Sequence, residues 1–150
     1  MEYATSVETV ANYFLRSMEM SNKKIQKMVY YAYVWYIVEN NDTNNIKRVL
    51  FSEQPEAWIH GPVFPTLYDK YKENGRDNIK YDGAEINLNE KISTFLDEIL
   101  GVFGNFDGDQ LELMTHKEEP WKKARLELKE DQPSSNIITL ESIYDYYSSI

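Results

Sequence analysis

The sequence predicts a mainly α-helical protein: a single compact domain of about six helices around a buried central helix at about residues 22–38, with room for a minor short-stranded β-element. Three observations carry that expectation. Apolar residues recur at helical spacing in several separate stretches. One stretch, Val29 to Val38, is apolar or aromatic on every side instead of along one stripe. A chain of 150 residues suits one domain, and at that size about 70% of the unfolded surface is buried without help from a disulfide or a metal.

The first helix is announced by Thr5-x-x-Glu8, which has capping-box form, followed by Val7, Val10, Ala11, Phe14, Leu15 and Met18 on one face. The second, SNKKIQKMVYYAYVWYIVEN, begins amphipathic: Ile25, Met28, Val29 and Ala32 are assigned inward, and Lys23, Lys24, Gln26 and Lys27 outward. From Val29 onward it has no wet face, the mark of a helix enclosed by its neighbours. An aromatic face that stacks nucleobases is the functional alternative, but it lacks a basic groove beside it. NNDTNN, 40–45, reads as a polar loop. RVLFSEQPEAWI has the composition of one or two short strands, NGRDNIKYDGAEINL of an exposed loop or small hairpin, and NIIT of a further strand.

Later helices are expected after Asn87-x-x-Glu90, with Ile92, Phe95, Leu96, Ile99, Leu100 and Phe103 on one stripe and Gly104 as the stop. Asp107 is a cap for a short helix through Leu111 and Met114. Pro120 suits the first turn of a helix through Trp121, Ala124 and Leu128. Thr139 starts a last one with Leu140, Ile143, Tyr144 and Tyr147 on a common face.

Residues 55–75, PEAWIHGPVFPTLYDKYKENG, gather three of the five prolines, with Trp58, His60 and Gly61 among them. The residue before Pro62 is steered away from the right-handed helical region, and glycine there has access to positive φ. Pro65 presets a helix start, with Leu67, Tyr68 and Tyr71 as its apolar side and Gly75 as its close. The segment therefore reads as a rigid connector that delivers a helix onto the core; a docking edge built from His60 and the prolines is the alternative.

Sixteen basic residues against twenty-five acidic ones give a net charge of −9. That balance argues against nucleic acid and anionic membrane as partners, since both require phosphate neutralisation. There is no cysteine, hence no thiol catalysis or thiolate metal site. No Gly-rich phosphate loop and no G-x-S-x-G elbow occurs. His60 and His116 are the only histidines and neither lies in a metal-ligand pattern, so no catalytic residue, metal or cofactor is assigned. The N-terminus lacks the basic region and apolar run of a signal peptide, and the expected setting is the cytoplasm.

Five segments in a fixed order then carry a resemblance: VANYFL, KIQKMVYYAYVWY, LFSEQPEAWIHGPVFPTLYDKYKENG, LMTHKEEPWKKAR and IITLESIYDYY. Together, with EAWxxGPVxPxxY and PWxxAR the most specific parts, they resemble the Panacea-domain antitoxins, the family of SocA-like and GepA-like phage-associated proteins. His60 stands where that family tolerates other side chains, and the 40–45 loop lies outside its pattern. The resemblance implies a bacterial or prophage antitoxin that binds a cognate protein toxin encoded by an adjacent gene, with no catalytic residues to carry over.

The signature residues are Trp58, His60, Gly61, Pro62, Pro65, Tyr68, Pro120 and Trp121. They are expected to fix the fold more than to touch a partner. Toxin choice is expected at Asn40, Asn44, Lys47, Arg76 and Tyr81, in the segments outside the signature; a homo-oligomer is compatible with the sequence. Two other classes stand beside this one. A regulator touching nucleic acid needs a basic patch assembled from Lys23, Lys24, Lys27, Lys122, Lys123 and Arg125. An enzyme needs His60 and His116 to converge.

Overall fold

In the computed structural model, which describes residues 1–150, every other layer is arranged around one helix. The chain runs β1 (Glu2–Tyr3), α1 (Val7–Ser17), α2 (Asn22–Asn40), β2 (Arg48–Val49), β3 (Glu56–Trp58), β4 (Gly61–Val63) and α3 (Pro65–Tyr71). It continues through a single 3-10 turn at Lys72–Asn74 to α4 (Glu90–Phe103), α5 (Gly108–His116), α6 (Glu119–Ala124) and α7 (Leu140–Tyr147). The fold is mainly helical, with two minor sheets. In one, β1 and β2 pair in parallel; in the other, β3 and β4 form an antiparallel hairpin closed by Ile59 and His60.

Helix α2 is the centre. It touches α1, α3, α4, α5, α7, β2 and β4, and its residues from Ile25 to Val34 are all buried. Its tyrosines belong to the core and do not form a stacking face: Tyr30, Tyr31 and Tyr33 are at most 2% exposed. Tyr31 stacks on Phe103 of α4 at 4.2 Å between ring centroids, and Tyr33 packs with Phe51 and Phe64. A phenol buried this way still needs a partner for its hydroxyl. Tyr30 and Tyr147 share a hydrogen bond of 3.1 Å, while Tyr31 and Tyr147 both donate to the Glu118 carboxylate, at 2.7 and 2.9 Å. One carboxylate at the start of α6 thereby ties α2 to α7.

The helix ends follow local chemistry, with two shifts from the sequence reading. Ser6, and not Thr5, caps α1 by accepting from the Thr9 amide, because the Thr5 backbone is drawn into pairing with Leu50. Asn89, and not Asn87, caps α4, accepting from Ile92. Asp107 and Gln110 form a complete capping box on α5, and Thr139 caps α7. Helix α6 stops at Ala124, short of Leu128, where Arg125 turns its side chain back into the fold. NIIT supplies only an isolated bridge, Ile137 to Glu56, and residues 75–89 are irregular except for a bridge from Ile79 to Met20.

The first turns of α2 depart further from the sequence pattern. Gln26 and Lys27, assigned outward, are each 1% exposed. The β3–β4 hairpin and α3 lie across that side of the helix and recruit its polar groups. Gln26 accepts from the Phe64 amide at 2.9 Å and donates to Asn22; Asn22 in turn donates to the Tyr68 carbonyl at 3.3 Å. Phe64 is the N-cap residue of α3; its backbone N–H has no partner within that helix, and Gln26 of α2 supplies the acceptor.

The tyrosine–glutamate link gives a direct test. Tyr147→Phe keeps the ring and removes the hydroxyl shared by Tyr30 and Glu118, and should cost about 1–2 kcal/mol in urea denaturation. Tyr144→Phe, at a half-buried position without a side-chain hydrogen bond, should stay within about 0.5 kcal/mol of the parent.

Candidate functional site

The two motifs singled out by composition are bonded to each other. The Trp121 indole N–H donates to the Trp58 carbonyl at 2.8 Å, and the Arg125 guanidinium donates to the Ala57 carbonyl at 2.8 Å. Strand β3 is thus held on one edge by β4 and braced by α6 through two carbonyls. Arg125 is buried: it also donates to the carbonyls of Lys129, Glu130 and Gln132, folding the loop after α6, and its guanidinium lies over the Trp121 ring. Pro120 is buried at the start of α6.

At the hairpin tip, Gly61 has φ +104°, in the region that penalises any side chain. It is also an approach point: a Cβ there would sit 2.8 Å from Lys27 Cε and 3.0 Å from Thr115 Oγ1. The connector reading of this segment therefore has a second component that sequence alone does not show. Glycine sets the turn, and it leaves room for the end of a buried lysine. Pro62 is buried in β4, opposite Ala57. Pro65 opens α3, and Tyr68 meets Trp58 edge to face at 5.0 Å. Trp58 itself is half-buried, its indole N–H donating to Glu56 at 2.9 Å.

The histidines do converge, on Glu112 of α5. His60 Nδ1 lies 3.1 Å and His116 Nε2 3.9 Å from Glu112 Oε2, while Lys23 Nζ lies 2.6 Å from Oε1 and 2.8 Å from Asp109. Burial acts to raise the Glu112 pKa, but the hydrogen bonds and charge of Lys23 and His60 outweigh it and hold the carboxyl below its ordinary range. A carboxylate held that firmly as an anion has no proton to give. His116 is lowered by burial, which outweighs the opposing charge of Glu112; it stacks on Trp121 at 4.0 Å, and its Nε2 is buried without a hydrogen bond. His60 is 70% exposed at the hairpin tip. The cluster thus forms a charge-neutralising brace between α2, α5 and the hairpin. It presents no nucleophile beside a base, and no group of carboxylates and imidazoles suited to a metal ion is present.

Beside this brace opens a cleft of about 790 Å³ between α2, the hairpin and the start of the 3-10 turn. Lys27 lies in its wall, together with Lys23, Lys72, Trp58 and Tyr68. Burial lowers the Lys27 pKa from 10.5 to about 7; the Lys23 charge adds to that effect and Glu112 opposes it. The basic patch that nucleic-acid binding would need does not assemble: Lys23 is ion-paired, Lys24 donates to the Gly104 carbonyl, and Lys27 and Arg125 are buried.

Of the positions expected to choose a toxin, Lys47 and Arg76 are exposed. Asn44 is exposed and donates to Asp145 at 2.8 Å, pinning its loop to α7. Asn40 is half-buried and donates to the Tyr36 carbonyl, while Tyr81 is half-buried against the core and donates to the Ala84 carbonyl.

The fold is thus a mainly helical domain in which a hairpin is braced on α2, α5 and α6 beside an open cleft. Residues 25–122, more than half of the chain, match the family described as antitoxin SocA-like, Panacea domain, and the protein belongs to that family. No curated protein and no solved structure gives a match. The matched span includes α2 from Ile25 onward, the hairpin, α5 and Trp121, and so most of the brace and the cleft, though not Lys23. No helix is long and apolar enough to cross a membrane.

Lys27 makes stability depend on pH with a definite sign. Its folded pKa is depressed, so between about pH 7 and the unfolded value of 10.5 the unfolded chain binds more protons, and stability rises with pH in that window. Lys27→Met should be the more stable protein near pH 7. Its advantage over the parent should shrink by on the order of 2 kcal/mol by about pH 9 in urea unfolding. Groups that do not interact with Lys27 cancel in this comparison, and His116, which burial and the Lys27 charge hold below its ordinary value of 6.5, titrates below the window.

Proposed function

We propose that this protein is an antitoxin that neutralises a cognate protein toxin by direct binding, the toxin being encoded by an adjacent gene. The match of residues 25–122 to the SocA-like Panacea family carries this reading. The charge of −9 suits a partner with a basic surface and disfavours nucleic acid. The signature residues support a division of labour. Gly61, Pro62, Pro120 and Trp121 are buried and hold the hairpin on α2 and α6. Partner choice then falls to exposed positions outside that frame, foremost Lys47 and Arg76, where a side chain can change without disturbing the core. His60, at the hairpin tip, is the most exposed of the signature side chains and so the foremost of them for partner contact.

Growth of cells expressing the adjacent gene, with and without this protein, tests the proposal. The neighbour alone should arrest growth, and co-expression should restore it. Charge reversal of Lys47 and Arg76 together should weaken rescue and toxin pull-down while leaving the melting temperature nearly unchanged. Trp121→Ala should lose rescue and stability together, at a cost of about 3–5 kcal/mol. A neighbour that is harmless, or equally toxic with and without this protein, contradicts the proposal.

A further inference from the structure

Two cations are buried in this protein, and they are treated in opposite ways. Arg125 donates to four backbone carbonyls. Lys27 is 1% exposed, yet its ammonium makes no hydrogen bond and no ion pair within the chain; the nearby acid, Glu112, is paired with Lys23 and His60 instead. An ammonium has three donors and no acceptor, and Lys27 Nζ, unlike His116 Nε2, is not sealed from solvent, so its unused donors are reached from the cleft. The Lys27 side chain lies in the wall of the 790 Å³ cleft.

The rest of the lining indicates what would satisfy it. Lys23, Lys27 and Lys72 face the cleft against a single acid, Glu56, one of whose oxygens is already taken by the Trp58 indole. Lys72 is exposed and lies 3.8 Å from Asp69, so it has a counter-charge. Trp58 and Tyr68, packed edge to face, form an apolar wall of the cleft. The Asn22 and Gln26 amides that also line the cleft are engaged with Tyr68 and Phe64, which leaves Lys27 as the orphan donor. Lys23 is already neutralised by Asp109 and Glu112. Lys27, about half protonated near pH 7, is therefore the one side chain here without a counter-charge, and an anion bound beside it would favour its charged form. One ammonium matches a monoanion better than a phosphate dianion. Clefts of about 300–1,000 Å³ with mainly apolar walls and a few convergent polar groups are the usual form of small-ligand sites.

We propose that this cleft is a carboxylate-binding site, in which Lys27 receives the carboxylate and Trp58 and Tyr68 cover an apolar body attached to it. The carboxylate is supplied by a free organic acid or by an acidic side chain of a bound protein. The site stands independently of the antitoxin reading.

Titration of the full-length protein with 3-phenylpropionate and with its neutral amide tests the assignment, read by calorimetry and by the Lys27 Cε–Hε resonance. The acid should shift that resonance saturably and bind about tenfold or more tighter than the amide, as expected for a hydrogen bond to a charged group. Lys27→Met should melt cooperatively and lose the preference for the acid. Equal binding of acid and amide, no saturable shift at millimolar acid, or a preference that survives in Lys27→Met overturns the proposal. The resonance is read in the parent protein, so the test holds even if the variant fails to fold. Once the acid is shown to bind, its effect on capture of the adjacent gene's product identifies the source. Displacement assigns the carboxylate to the protein partner, and unchanged capture assigns it to a free acid.

Discussion

Helix α2 has no face to give to water, and the rest of the architecture follows from that constraint. A helix that is apolar on every side from Val29 to Val34 is stable only when enclosed, so helices on several flanks and two small sheets must close around it. The enclosure needs polar groups to be satisfied inside it. The tyrosine hydroxyls of α2 therefore meet Tyr147 and Glu118, and Gln26 meets the Phe64 amide. The same side chains that fill the core also determine which elements can lie against it.

The β3–β4 hairpin is the least self-sufficient of those elements, since three residues in each strand make a marginal sheet. It persists because it is gripped from two sides. Trp121 and Arg125 hold the carbonyls of Trp58 and Ala57, and α2 supports the hairpin through Lys27 beneath Gly61. The two segments that carry the family resemblance are thus one structural unit built from distant parts of the chain. Their residue types are accounted for by the grip: an indole N–H for one carbonyl, a guanidinium for another, and a glycine where a Cβ would strike the lysine. This frame leaves exposed side chains such as Lys47 and Arg76 free of structural duty, the physical basis for proposing partner choice there.

Legibility in the sequence follows the range of the interactions. The helices are readable because periodicity and caps are local, and the caps move by only one or two residues where backbone pairing or packing of the neighbouring residue intervenes. Gly61 is readable as a turn because proline and glycine chemistry is also local. Gln26 and Lys27 read as wet because a polar residue on an amphipathic turn is ordinarily exposed. The hairpin that covers them lies about thirty residues downstream. The meeting of His60 and His116 at Glu112 has no sequence signal, since an unremarkable glutamate on α5 brings them together. A trace of the Trp121–Trp58 bond does exist, in the pairing of two tryptophan-containing motifs, but sequence cannot tell which group bonds which.

Native-state hydrogen exchange, followed amide by amide in increasing denaturant, tests the central claim most directly. If the fold is organised by the enclosure of α2, amides from Met28 to Ile37 should exchange only through global unfolding, with the full free energy and denaturant dependence of the whole protein. Amides of α4 and α7 should exchange at or below that limit. Exchange of the α2 amides through a smaller opening, while α4 or α7 stays protected, would contradict the account and place the organising core elsewhere.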